Sequence, residues 1–427
     1  MKILVISNTT WDNSISFGNT FSNLFENLKG VEIYNVALKH GVSNNTIVKK
    51  TCQLSDKAVL KSILKFKFDP ARIIENETNQ NDFEKEVSIS ARKKRRTVSF
   101  IIRDLIWKFG KWKKSKTLNS FINEIKPDVV YLPIYASPYM CDVQSYLVDK
   151  VGVKAVGHIS DDVLAKTTSK SPLAKAYNKK TIKKVKALIK KCEYLEVFAE
   201  NMKREYERCL NVPCYLIGKG IDALSLEEFN YSYSNNDEIK FIYTGNIGTG
   251  RYKVLSDIGS SIDKVYPKAK LYIYSATPLT SDMEQSFSKS SSIKFMGAIS
   301  SEDVKTVQQQ ADYLVHVESF SAEGIRSAKM SFSTKIIDYM LIGKPIFAVG
   351  PKEVNSIEVL KDKKIAIVCD CKEDIEKNLH LLSKNEVNLN EISNNLFDYL
   401  VKYRDINIIQ KGIKERLESL VNESCSN

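Results

Sequence analysis

Two doubly wound α/β domains, Rossmann-like and facing across a cleft, are the architecture that this sequence predicts. Three observations carry that expectation. The chain has 427 residues, long for one hydrophobic core. Short apolar runs alternate with longer amphipathic stretches, the rhythm of parallel β/α units. These runs fall into two groups, separated by the polar, non-periodic stretch LSLEEFNYSYSNNDE at 224–238.

In order, KILVIS (2–7), VEIYNVAL (31–38), DVVYLPI (128–134), VKAVGHI (153–159), YLEVFA (194–199) and CYLIG (214–218) read as strands of the first domain. Those of the second are IKFIYTG (239–245), AKLYIYS (269–275), SIKFMG (292–297), DYLVHVE (312–318), PIFAVG (345–350) and IAIVCD (365–370). They are apolar over most of their length, as strands covered on both faces must be. Between them, SFGNTFSNLFENL, TLNSFINEI, NMKREYERCL and STKIIDYMLI carry helical spacing. The expected division is 1–223, 238–393 and a helical tail, 394–427, that packs back across both domains.

Composition narrows the class. With 43% apolar and 27% charged residues the chain is an ordinary globular one, and no run approaches the ~20 apolar residues of a membrane span. MKILVISNTTW reads as a buried first strand rather than a signal peptide, because its apolar core is only Ile3 to Ile6. A cytoplasmic protein is therefore expected. The eight cysteines are scattered apart from Cys369 and Cys371, with no zinc-ligand spacing, and read as reduced thiols.

The net charge of +13 calls for an anionic partner. Much of it lies in residues 91–116, ARKKRRTVSFIIRDLIWKFGKWKKSK. There Phe100, Ile101, Leu105, Trp107, Phe109 and Trp112 are interleaved with eleven lysines and arginines. Such a stretch suits an anionic lipid surface or nucleic acid, or is an amphipathic helix with a solvated basic face.

Two stretches point to phosphate chemistry. After strand 239–245 comes Gly245-Asn246-Ile247-Gly248-Thr249-Gly250, then a helix opening at Arg251. Glycines allow close backbone approach, and a helix N-terminus offers unpaired N–H groups and partial positive charge to an anion. Arg251 or Lys253 could add a charge-assisted bond. Residues 331–351, SFSTKIIDYMLIGKPIFAVGP, open a second helix with Ser333, Thr334 and Lys335. Asp338 follows one turn on, spaced to accept from ribose hydroxyls, and Gly343-Lys344-Pro345 ends the helix. Plain capping and turn roles are the alternative at each position.

YTGNIGTGR and STKIIDYMLIGKPIFAVGP resemble the donor-binding half of GT-B fold nucleotide-sugar glycosyltransferases, the family-4-like group of bacterial surface polysaccharide synthesis. KILVISNTTWDNSISFGNTFSNLF is similar to the opening strand and loop of the same proteins. The resemblance implies a hexosyl transfer from a nucleoside-diphosphate sugar, retaining and metal-independent, with no other cofactor. It implies that Gly245 makes the tight turn, that Arg251 replaces a diphosphate-binding lysine, and that Asp338 replaces a ribose-binding glutamate. Asn246 stands where many relatives have arginine. The family's first glutamate falls on Met330, so Glu318 or Glu323 would take its place. In SISFGNT (14–20), Gly18, Asn19 and Thr20 would face the donor diphosphate, with a helix cap the alternative for Asn19.

At the end of strand 153–159, GHISDD should bring His158, Asp161 and Asp162 into the cleft. His158 would bond a sugar hydroxyl, and an aspartate would serve as base for the acceptor hydroxyl. Stabilisation of the leaving diphosphate falls to Arg251, Lys335, the 245–250 amides and the helix at Ser333. Acceptors in this group are commonly polyprenyl-linked sugars. That favours an anionic inner membrane face over nucleic acid as partner of 91–116, and a peripheral location. A sugar-nucleotide epimerase of the same build, or a non-catalytic nucleic-acid-binding protein, is the rival reading.

Overall fold

A computed structural model describes residues 1–13, 15–65, 67–75, 93–300 and 302–425. The chain forms two units: Met1–Phe198 with Met202–Gly220 and Ile406–Asn427, and Ala199–Asn201 with Ile221–Asp405.

The first unit contains β1 (Lys2–Ser7), α1 (Ser16–Phe25), β2 (Glu32–Ala37), β3 (Val48–Gln53), α2 (Asp56–Leu64), β4 (Arg72–Glu75) and α3 (Lys93–Phe109). A 3₁₀ turn, Lys111–Lys114, follows. Next come α4 (Lys116–Ile125), β5 (Val129–Pro133), α5 (Pro138–Val151), β6 (Ala155–Ile159), α6 (Pro172–Ile189), β7 (Cys192–Val197), α7 (Glu200–Leu210) and β8 (Cys214–Leu216). Its sheet has the order β4-β3-β2-β1-β5-β6-β7-β8. All neighbours are parallel except β3 and β4. The sheet is thus wider than the sequence predicts. VKKTCQ and RIIE are missing from the expected strands because lysines and a four-residue length mask them.

The second unit contains β9 (Ile239–Thr244), α8 (Arg251–Val265), β10 (Ala269–Tyr274), α9 (Ser281–Phe287), β11 (Ile293–Gly297), α10 (Asp303–Gln309), β12 (Tyr313–Val317) and α11 (Ala322–Ala328). It continues with α12 (Thr334–Ile342), β13 (Ile346–Val349), α13 (Asn355–Asp362), β14 (Ile367–Cys369), α14 (Glu373–Ser383) and α15 (Leu389–Arg404). Its sheet, β11-β10-β9-β12-β13-β14, is wholly parallel. Strand order reverses between β9 and β12. That is the switch point where open α/β sheets hold ligands.

The tail divides: α15 belongs to the second unit, while α16 (Ile406–Cys425) returns to the first. Ile413, Leu417 and Leu420 of α16, at i, i+4 and i+7, enter the core with Trp11, Phe21, Phe25 and Tyr131. Gln410 donates to the Asn23 carbonyl at 2.8 Å. Arg416 reaches Glu196, which is wholly buried on β7, at 2.8 Å.

Candidate active site

The glycine turn forms as strand-turn-helix. Gly245 N–H still bonds the Tyr274 carbonyl at 3.0 Å, then the chain reverses. Thr249 and Gly250 take φ of 54° and 84°, the left-handed region that favours glycine. Asn246 Oδ1 accepts from Gly248 N–H at 2.6 Å and braces the turn. Tyr243 Oη donates to the Asn246 carbonyl at 2.7 Å from beneath.

Beside this turn, wholly within the second unit, is a cavity of about 770 Å³. Gly245, Asn246, Lys335 and Asp338 line it, so the structure joins residues 93 positions apart that the sequence nominates separately. The Lys335 ammonium lies 3.7 Å from where a Gly245 Cβ would stand. α12 begins here: Ser333 is its N-cap, with no hydroxyl-to-amide capping bond. Thr334 opens the helix, its side chain outside the described residues. Gly343, at φ 72°, closes it.

Sequence reasoning misses the remaining walls. Ser275, Ala276 and Thr277 follow β10, and Val304, Lys305 and Gln308 come from α10. Leu341 and Ile342 supply an apolar side. The switch-point rule could have found Ser275–Thr277, which sit at a strand's carboxyl end. Gln308 had no motif to mark it. It is buried and donates to Thr244 Oγ1 at 2.8 Å, and Thr244 also meets Tyr339 Oη at 3.0 Å. This polar network anchors the end of β9.

Arg251 does not line the cavity. Its Nε and Nη2 both donate to Glu318 Oε2, at 3.2 and 2.8 Å. Burial alone would lower the guanidinium pKa, but the Glu318 carboxylate outweighs it and leaves the pKa raised. The expected diphosphate ligand is therefore already paired. His316 stands 3.9 Å from Glu318 Oε1 and bonds Ser356 Oγ at 3.2 Å. Burial, opposed by Glu318, holds His316 below its ordinary pKa. Glu323 lies exposed in the first turn of α11, and the cavity does not include it.

In the first unit, the expectations for His158, Gly18, Asn19 and Asp162 need correction. His158 does not emerge from β6. It is buried at 3% exposure among Phe21, Phe198 and Tyr131. Its Nδ1 meets Tyr131 Oη at 3.2 Å, and burial lowers its pKa to about 3. The ring is neutral at physiological pH and Nε2 has no partner. Gly18 is needed for a different approach: a Cβ there would stand 2.0 Å from the Asp12 carbonyl oxygen. It lets the backbone at Asp12 pack directly onto α1, and that approach alone accounts for the glycine. Asn19 lies inside α1, whose N-cap is Ile15, so it is not a cap. Asp161 is exposed just beyond β6, whereas Asp162 is structural, accepting from Tyr206 Oη and Leu164 N–H, each at 3.0 Å.

No protein-family model and no curated protein matches the chain. Solved structures do. HepE from Anabaena, in complex with UDP, has a TM-score of 0.64 at 10% identity, covering 98% of this chain and 100% of its own. Sucrose-phosphate synthase from Thermosynechococcus elongatus has 0.61 at 11%, covering 99% and 100%. The lipopolysaccharide outer core galactosyltransferase WaaB has 0.58 at 12%, covering 97% and 100%. The fold is thus GT-B, with two Rossmann-like α/β domains.

Proposed function

We propose that the protein transfers a hexosyl group from a nucleoside-diphosphate sugar to a carbohydrate carried on a lipid, in bacterial surface polysaccharide synthesis. One observation carries the reading: the cavity that joins the 245–250 turn to the start of α12 at the carboxyl end of β9. It combines features a nucleotide sugar needs. Lys335 and Lys305 supply positive charge, Asp338 accepts from ribose hydroxyls, and Leu341, Ile342 and Val304 give an apolar wall for the base. UDP in HepE supports uridine as the first base to try.

Glycosyl transfer leaves a nucleoside diphosphate, and its developing charge is what the site must stabilise. The Lys335 ammonium, the turn amides other than those of Gly245 and Gly248, and the N-terminus of α12 supply donors for it. The Arg251–Glu318 pair acts from behind, holding the start of α8 against the loop after β12. In the first unit, Asp161 is assigned as base for the acceptor hydroxyl, because it is exposed at the carboxyl end of β6. Retention at the anomeric carbon and freedom from metal belong to the same reading. So does work at the inner membrane face.

A thermal-shift screen of nucleotides and nucleotide sugars tests the reading. Stabilisation by one nucleoside diphosphate and its sugars, but not by dinucleotides or duplex DNA, is the expected result. Stabilisation by none of them would refute it.

A further inference from the structure

We propose that α2 and α3 of the first unit form a docking face for an anionic lipid bilayer. The proposal takes its purpose, reaching a lipid-borne acceptor, from the reading above, but its geometry stands apart from the nucleotide cavity. The basic segment has two apolar faces, and the tryptophans are on the wrong one. Trp107 and Trp112 are 3% and 2% exposed. Trp107 Nε1 donates to Asp56 Oδ1 at 2.6 Å, and Trp112 Nε1 to the Trp107 carbonyl at 2.7 Å. They fasten α3 and the 3₁₀ turn to the domain, and Lys111 N–H completes the joint by donating to Ser62 Oγ on α2 at 3.0 Å.

The outward face is different. Val98, Ile102, Leu105 and Phe109 follow i, i+4, i+7, i+11 and are 45%, 52%, 46% and 64% exposed. On neighbouring α2, Leu60 and Leu64 are 41% and 77% exposed. Two adjacent helices thus present bulky apolar side chains to solvent, more than isolated surface apolar residues require. The same elements carry exposed lysines: Lys61 and Lys65 at α2, Lys108, Lys113 and Lys114 at α3 and its turn.

The acids of these helices are withdrawn from the face. Asp56 accepts from Trp107, and Asp104 is 8% exposed with Lys180 at 3.2 Å. What remains is an apolar stripe with charge of one sign, the make-up of a surface that enters an anionic headgroup region. The stripe is mainly aliphatic and offers few ring faces for stacking, so single-stranded nucleic acid fits it poorly. A second copy of the chain fits poorly too, since a two-fold contact would set lysine against lysine.

The test is co-sedimentation of the full-length protein with vesicles of phosphatidylglycerol and phosphatidylcholine, or of phosphatidylcholine alone. Binding to the anionic vesicles should exceed binding to neutral ones by about tenfold and fall with added salt. Ile102→Glu/Leu105→Glu, and separately Lys113→Glu/Lys114→Glu, should each reduce it by about tenfold, with nucleotide binding unchanged in calorimetry. Equal sedimentation on both vesicle types, or undiminished binding by both variants, overturns the proposal. So does self-association in ultracentrifugation that Ile102→Glu/Leu105→Glu abolishes, which would assign the face to a second copy. Vesicle binding by a protein that binds no nucleotide upholds the docking face and removes only the donor reading.

Discussion

Arg251 and Glu318, 67 residues apart in the chain, meet through two hydrogen bonds to one carboxylate oxygen, at 3.2 and 2.8 Å. The contact links the first residue of α8 to the residue that follows β12, on the two sides of the sheet's switch point. The glycine turn is close by: a Cβ on Gly250 would stand 2.6 Å from Ser319 Oγ. The pair therefore sets how the two switch-point loops pack.

Removing one partner should expose that role. Glu318 is 8% exposed, so Arg251→Ala leaves a buried carboxylate without its counter-charge. A loss of about 3 kcal/mol in unfolding free energy is expected. Arg251→Gln/Glu318→Gln, which removes both charges, should recover part of it. Urea titrations check this, and an Arg251→Ala protein of undiminished stability would show that the pair does not organise the turn.

His158 makes a pH prediction. Burial depresses its pKa to about 3, well below the ordinary value of 6.5. In this interval the unfolded chain binds the proton and the folded one does not. Stability from this group is therefore full above pH 6.5 and falls as pH drops toward 3, by about 1.4 kcal/mol per unit. His158→Phe should flatten that slope between pH 6 and 4 relative to the native chain. Denaturation at several pH values measures it, and identical slopes would place the histidine in water.

Transfer should also proceed in excess chelator. Asp338 is the one carboxylate among the cavity's lining residues, with two lysines, Lys305 and Lys335. A divalent ion on a diphosphate needs several oxygen ligands from protein or substrate, and adjacent ammonium groups repel it. The rate in EDTA should match the untreated rate. Full loss, restored by magnesium or manganese, would mean the donor is held in another way.

The sequence revealed what local pattern controls. KILVIS and IKFIYTG announce buried strands by continuous apolar runs, and Gly245 to Arg251 announces a strand-turn-helix. STKIIDYMLIG marks its helix and its glycine stop. Pairings made by the fold stayed hidden. Nothing near Arg251 says that Glu318 will neutralise it, and nothing near His158 says that Phe21 and Phe198 will enclose it. The 91–116 segment shows the limit most clearly. The sequence shows apolar residues such as Trp107 and Phe109 interleaved with basic ones, but only packing against α2, α5 and α6 decides which are covered.

The most direct measurement of the central claim is a calorimetric titration of UDP, and of other nucleoside diphosphates, into the native chain and Lys335→Ala. Lys335 is exposed, beside the turn, and not needed for the core. Losing its charge-assisted contact should weaken diphosphate binding by about 1.5–3 kcal/mol with the fold unchanged. Equal affinity of both proteins for every nucleoside diphosphate that binds would contradict the account.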